Sequence, residues 1–171
     1  MSAMGIREAI EKTAKGITEQ PDKAKSKNVP ATARLLDELR CEVRGPNGET
    51  VFTDMPSAMG GAASAPNPAW FLRAALASCT ATAIAMRAAR LGVDLATLEV
   101  TVESHSDHRG LLGLDDKVSA GLSSLATHVK IGANEVPSDQ LRELAQWGDQ
   151  HSPVACTARI PPSYTLEVEV V

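Results

Sequence analysis

Asn67-Pro68-Ala69-Trp70-Phe71-Leu72-Arg73-Ala74-Ala75-Leu76-Ala77-Ser78-Cys79-Thr80 opens a helix whose start can be read residue by residue. Asn67 offers a side-chain oxygen to the orphan N–H groups of a first turn. Pro68 fits the first helical position, where a missing N–H costs nothing. Leu72, Leu76, Cys79, Ala83 and Met86 then alternate in steps of four and three, which places the Cys79 thiol on a buried stripe. Gly92, after Arg87 and Arg90, closes the run as helix C-termini prefer. A thiol in such a seam is either inert filler or a shielded nucleophile, and the rest of the sequence has to separate the two.

The chain has 171 residues and a mass of 18.0 kDa, a size for one domain with a real core. Aromatic residues make up only 3%, so the core must be built from Ala, Leu, Val and Ile. Small side chains let helices approach closely and go with an extended interface. The formal net charge is −4 and no basic stripe is present, which argues against nucleic acid as a partner. The start, Met1 to Glu8, is charged too early for a signal sequence, and the reading finds no apolar run long enough to cross a bilayer. Three cysteines without a secretion signal then point to a cytoplasmic protein with free or transiently oxidised thiols.

Residues 1–36 read as a charged helical leader and linker, and residues 37–171 as the main domain. In the leader, Ile6, Ala9, Ile10, Ala14 and Ile17 repeat at helical spacing until Pro21. From Leu35 the period changes: Leu39, Cys41 and Val43 alternate with Arg40, Glu42 and Arg44. Gly45-Pro46-Asn47-Gly48 then turns the chain into Thr50-Val51-Phe52-Thr53. Cys41 falls on the apolar side of that strand, a core position. Residues 57–66, with Gly60-Gly61, read as a flexible loop feeding the Cys79 helix; they lack the Lys-Ser/Thr ending of a phosphate-binding loop. Beyond Gly92, Leu98, Val100 and Val102 mark one strand, and Leu125, Thr127, Val129 and Ile131 another. A helix from Ser138 carries Leu141, Leu144 and Ala145 inward and stops before Gly148. Tyr164, Leu166, Val168 and Val170 form a closing half-buried strand. Strands with one wet face pair antiparallel, so the class is α+β.

A second thiol, Cys156, follows in Gln150-His151-Ser152-Pro153-Val154-Ala155-Cys156-Thr157. Taken jointly, the Gly60-Gly61 loop, Asn67-Pro68 opening an Ala-rich helix with a buried Cys, and Ser-Pro-Val before a closing strand resemble the OsmC/Ohr family. The family comprises osmotically inducible and organic hydroperoxide resistance proteins, and the likeness covers roughly residues 37–171. It implies an antiparallel sheet wrapped around a long central helix in an intertwined homodimer. It also implies a thiol peroxidase that reduces organic hydroperoxides and is reset by a thiol or dithiol reductant, with no metal and no cofactor. Cys79 matches the attacking position. The family's second, resolving Cys directly precedes Pro, where this chain has Ser152; Cys156, four residues on, is the candidate replacement. The Glu that follows Asn-Pro in the family, and helps hold a catalytic Arg, is Ala69 here. Arg34, Arg40 and Arg44 are the candidates for that Arg.

The other polar residues have plainer readings. His105 and His108 would fall on opposite faces of an extended strand, so with Asp107 they read as a solvated loop rather than metal ligands. His128 reads as exposed, His151 as a helix-end residue near the thiols. Ser152 beside His151 is no hydrolase pair, because adjacent side chains rarely face one another. Trp70, Phe71 and Trp147 read as core or interface anchors that could wall an apolar pocket. The alternative to a peroxidase is a dimer of the same fold that binds small molecules and uses its cysteines for no chemistry, a reading that Ala69 and Ser152 favour. For the peroxidase, the spacing past Pro153 predicts no Cys79–Cys156 bridge.

Overall fold

The structure, a computed structural model, describes residues 3–171. Its elements are α1 (Ala3–Glu19), β1 (Thr32–Asp37), β2 (Arg40–Arg44), β3 (Thr50–Thr53), α2 (Pro68–Leu91), β4 (Leu95–Ser106), α3 (His108–Leu111), β5 (Leu122–Ala133), α4 (Ser138–Gln150) and α5 (Pro153–Arg159). They form two compact units, one of residues 11–74 and one of residues 75–171 with the start of α1. The class is α+β, with antiparallel sheets and a long helix, as the alternating strands require.

In the first unit β1, β2 and β3 form an antiparallel sheet, with Thr32 opposite Arg44 and Cys41 opposite Thr53. The β1–β2 turn puts Glu38 at φ 45, so Leu39, expected in a strand, lies in a turn instead. Gly48 takes φ 87 in the next turn, the conformation that makes Asn-Gly a hairpin signal. The leader's expected end at residue 36 falls inside β1. The 57–66 loop is pinned rather than flexible. Asp54, 1% exposed, accepts hydrogen bonds from Met55 N, Ser64 N and Ser64 Oγ at 2.7, 2.9 and 2.8 Å. Gly61 is required here, since a Cβ would collide with the Met55 carbonyl.

In the second unit β4 and β5 pair over eleven positions, from Leu95 opposite Ala133 to Ser106 opposite Leu122. Leu98, Val100, Val129 and Ile131 face a core of Ile84, Ala88, Val93 and Leu144. Gly148, expected to stop α4, lies inside it: there α4 crosses Ile84 so closely that only a hydrogen fits.

Three further expectations are corrected. The buried stripe of α2 is Leu76, Thr80, Ala83, Ile84, Ala88 and Ala89, so Leu72 and Met86 are 46% and 43% exposed and Cys79 is half-buried at the stripe's edge. Helical period alone leaves the phase open when Ala lines every face. α2, 24 residues long, is also long and apolar enough to cross a membrane, with a stretch of mean hydropathy 1.4 inside it; its apolar character comes largely from Ala. Finally, residues 160–171 form no strand, and Leu166, Val168 and Val170 are 74, 75 and 90% exposed. Alternation encodes a strand only where an edge accepts it. Pro161-Pro162, stiff and without N–H donors, carries the segment away from α5 unpaired.

Candidate active site

Asn67 caps α2 as its sequence promised, its Oδ1 accepting from Trp70 N at 2.9 Å. Helical rotation then sets Cys79 between two faces. On one side lies the core stripe. On the other, Ala75, Thr82 and Met86 join Cys79 in steps of four, three and four and are exposed, an uncovered seam of small and flexible side chains. Thr80, next to the thiol in sequence, is fully buried, and its Oγ1 has no hydrogen-bond partner among the described residues.

Leu76, one turn before Cys79, lines a cavity of about 540 Å³. Leu125, Thr127 and Val129 of β5 form its floor, and Ala145, Gln146 and Asp149 of α4 one wall. Ala155, Ala158 and Arg159 of α5 complete it. The lining is mostly apolar, with an ion pair at one end: Arg159 Nη1 donates to Asp149 Oδ2 at 2.8 Å.

α5 itself was missed by the sequence reading, which saw only a bend at Pro153. The signal was present: Ser-Pro is a cap residue followed by a first-turn residue. Ser152 is fully buried and accepts from Ala155 N at 3.3 Å. Cys156, one turn later, is exposed, and its thiol donates to the Gln150 carbonyl at 3.1 Å. Cys41, Cys79 and Cys156 are all free thiols. Cys79 and Cys156 sit on different helices, but Leu76 and Ala155, their near neighbours in sequence, share the cavity.

Of the remaining candidates, Arg34 is exposed on β1 and the others have local partners. Arg40 lies over the Phe52 ring at 4.6 Å, and Arg44 pairs with Glu42 at 2.7 Å. His105 Nδ1 and Ser124 Oγ share a hydrogen bond of 2.9 Å across the β4–β5 pair. Asp107 caps α3 and grips Arg109, which holds its carboxyl down at about 2. His151 stacks on Trp147 with ring centroids 3.8 Å apart, and Arg87 lies 4.8 Å from the Trp147 ring. Among the described residues no three His, Cys, Asp or Glu side chains come together as metal ligands.

The fold and the site thus define an α+β protein with a thiol on its long helix and an apolar cavity that Leu76 of the same helix helps to line. The sequence profile of OsmC-like proteins matches residues 60–167, well over half the chain, and the protein belongs to that family. Solved structures agree in fold. An OsmC-like protein from Mycoplasma pneumoniae superposes with a TM-score of 0.68 at 16% identity, covering 80% of this chain and 91% of that one. An organic hydroperoxide resistance protein from Elizabethkingia anophelis gives 0.63 at 19%, over 80% and 91%. An organic hydroperoxide resistance protein OsmC from Legionella pneumophila gives 0.61 at 19%, over 79% and 93%. Comparison with curated proteins gives no match.

Proposed function

We propose that the protein is a cytoplasmic, homodimeric thiol peroxidase that reduces organic hydroperoxides, with Cys79 as the attacking thiol. The observation that carries this reading is the position of Cys79, half-buried on α2 between the core and an uncovered seam, one turn from a cavity wall of Leu76, Leu125 and Val129. Membership of the OsmC-like family supports it, as do structural neighbours named for hydroperoxide resistance.

In the reaction the Cys79 thiolate attacks the terminal oxygen of the hydroperoxide. The O–O bond breaks, the sulfur becomes sulfenic acid, and the departing alkoxide takes a proton to give the alcohol. A reductant thiol then condenses with the sulfenic acid, releasing water and leaving a mixed disulfide, and a second thiol restores Cys79. An external thiol is favoured over a Cys79–Cys156 bridge by the change of environment along α5. Position 152 is interior and holds a capping hydroxyl, whereas Cys156 opens to solvent. A second copy packing on the Ala75, Cys79, Thr82 and Met86 seam would cover α2 and shield the thiol.

The test is consumption of cumene hydroperoxide with dithiothreitol as reductant. Cys79→Ser is expected to fall to the uncatalysed rate, while Cys156→Ser keeps a single-turnover sulfenate at Cys79. Turnover that survives Cys79→Ser but is lost in Cys156→Ser would reverse the roles. Unreacted Cys79 under stoichiometric peroxide would favour the small-molecule-binding alternative. Sedimentation at micromolar concentration checks the dimer.

A further inference from the structure

A second thiol arrangement lies where α4 hands over to α5. Arg159, the last residue of α5, donates from Nη1 to Asp149 Oδ2 at 2.8 Å and from Nη2 to the Asp149 carbonyl at 2.9 Å. The guanidinium is therefore held from the α4 side at both terminal nitrogens. The same Nη2 lies 3.8 Å from Cys156 Sγ, and the Cys156 side chain is exposed. Asp149 and Arg159 also line the 540 Å³ cavity, together with Ala155 and Ala158 from the same helix as the thiol. An accessible sulfur thus stands beside a fixed cation, next to a space that can take the body of a small molecule.

That combination fits thiol–disulfide exchange. As a thiolate attacks a disulfide, negative charge spreads over the sulfurs in line, and a donor of positive charge beside them stabilises that state. It also draws an anionic partner in preference to a cationic one. We propose that Cys156, Arg159 and Asp149 form a thiol-exchange site for small disulfides that carry a carboxylate. Cys156 is the nucleophile, Arg159 meets the charge on sulfur and on the incoming carboxylate, and Asp149 positions Arg159. In the step, the Cys156 thiol leaves the Gln150 carbonyl to which it donates, gives its proton to solvent, and its sulfur attacks one sulfur of the disulfide. The old S–S bond breaks, a mixed disulfide forms on Cys156, and the released thiolate takes a proton from water.

The site stands apart from peroxide chemistry at Cys79, and its test uses no peroxide. In the full chain carrying Cys41→Ser and Cys79→Ser, adduct formation on Cys156 is followed by mass spectrometry with dithiodipropionate, an anionic disulfide, and with cystamine, a cationic one. The anionic probe is expected to react roughly threefold faster, the scale of one exposed charge interaction. Arg159→Met should abolish that preference, and Arg159→Lys should keep it. Circular dichroism checks that each variant is folded. Should Arg159→Met unfold, ionic strength supplies the same readout: the preference of the parent protein should fall towards unity in high salt. Equal rates for the two probes, a preference unchanged in folded Arg159→Met or in high salt, or no adduct on Cys156 would each overturn the proposal.

Discussion

Gly148→Ala probes the contact that fixes the spacing of α2 and α4. A Cβ built at 148 meets the Ile84 Cγ1 first, then Ile84 N at 2.8 Å and Ile84 Cα at 2.9 Å. The side chain of Ile84 can rotate away, but its backbone cannot, so the helices have to separate. Because the obstacle is backbone, overpacking here falls in the upper part of the usual range, about 2–3 kcal/mol. Alanine returns about 1 kcal/mol through its better helix propensity. The net loss is about 1–2 kcal/mol, which in a chain of this size lowers the melting temperature by about 3–6 °C. Scanning calorimetry, paired with urea unfolding, measures it. Adding Ile84→Ala removes only the Cγ1 obstacle, so the double variant should stay below Ile84→Ala alone. A Gly148→Ala protein as stable as its parent would refute the claim that backbone contact sets this crossing. Ala145, Gln146 and Asp149, which line the cavity, move with α4, so the same variant should weaken any ligand held there.

Further outcomes follow from single side chains. Ser152→Ala removes the cap of α5 and should cost about 1 kcal/mol in urea unfolding. Ser152→Cys returns a thiol to the position the family uses for resolution, so stoichiometric hydroperoxide should give a disulfide between it and Cys79; mass spectrometry showing none would break that correspondence. Ser64, through its backbone N–H first and its hydroxyl second, holds the Asp54 carboxyl below the usual carboxylate range. Its contribution to the 55–66 loop should therefore be complete above that range and be lost as pH falls through the lowered value, visible as earlier acid unfolding in wild type than in a variant with a pH-independent loop anchor. Met86→Glu places a charge on the exposed seam and, on the proposed dimer, should yield a monomer by sedimentation, with secondary structure unchanged.

What could be read from the sequence divides along physical lines. Short-range chemistry was legible: Asn67 caps α2, Asn47-Gly48 makes its turn, and the alternating runs of β4 and β5 face the core in the expected phase. The phase of α2 was not, because Ala stands on every side of it and only the partner elements decide which Ala is buried. Gly148 read as a stop when its role is a close helix crossing, a long-range property that no local propensity encodes. At the candidate site the thiols were visible, but Asp149 and Arg159 were not. Nothing in their spacing marks them, and it is the Ser152 cap and the short α5 that bring the guanidinium to the sulfur.

The surfaces of the chain that lack cover have one feature in common. α2 packs Ile84 and Ala88 against α4 and the β4–β5 pair, so it is already half of a core helix. Its other side presents Ala75, Ser78 and Thr82, small enough for a second helix to come close, around the half-buried Cys79. The closing segment keeps the alternation of a strand but forms none, and among the described residues β4 and β5 pair only with each other. A lipid surface would satisfy the apolar helix but leave a strand without hydrogen-bond partners. A second copy satisfies both, since it can bring a matching helix to the seam and a sheet edge to the tail. On the proposed reading, dimerisation is then the step that shields the thiol, and Met86→Glu should reduce hydroperoxide turnover together with the dimer rather than independently of it.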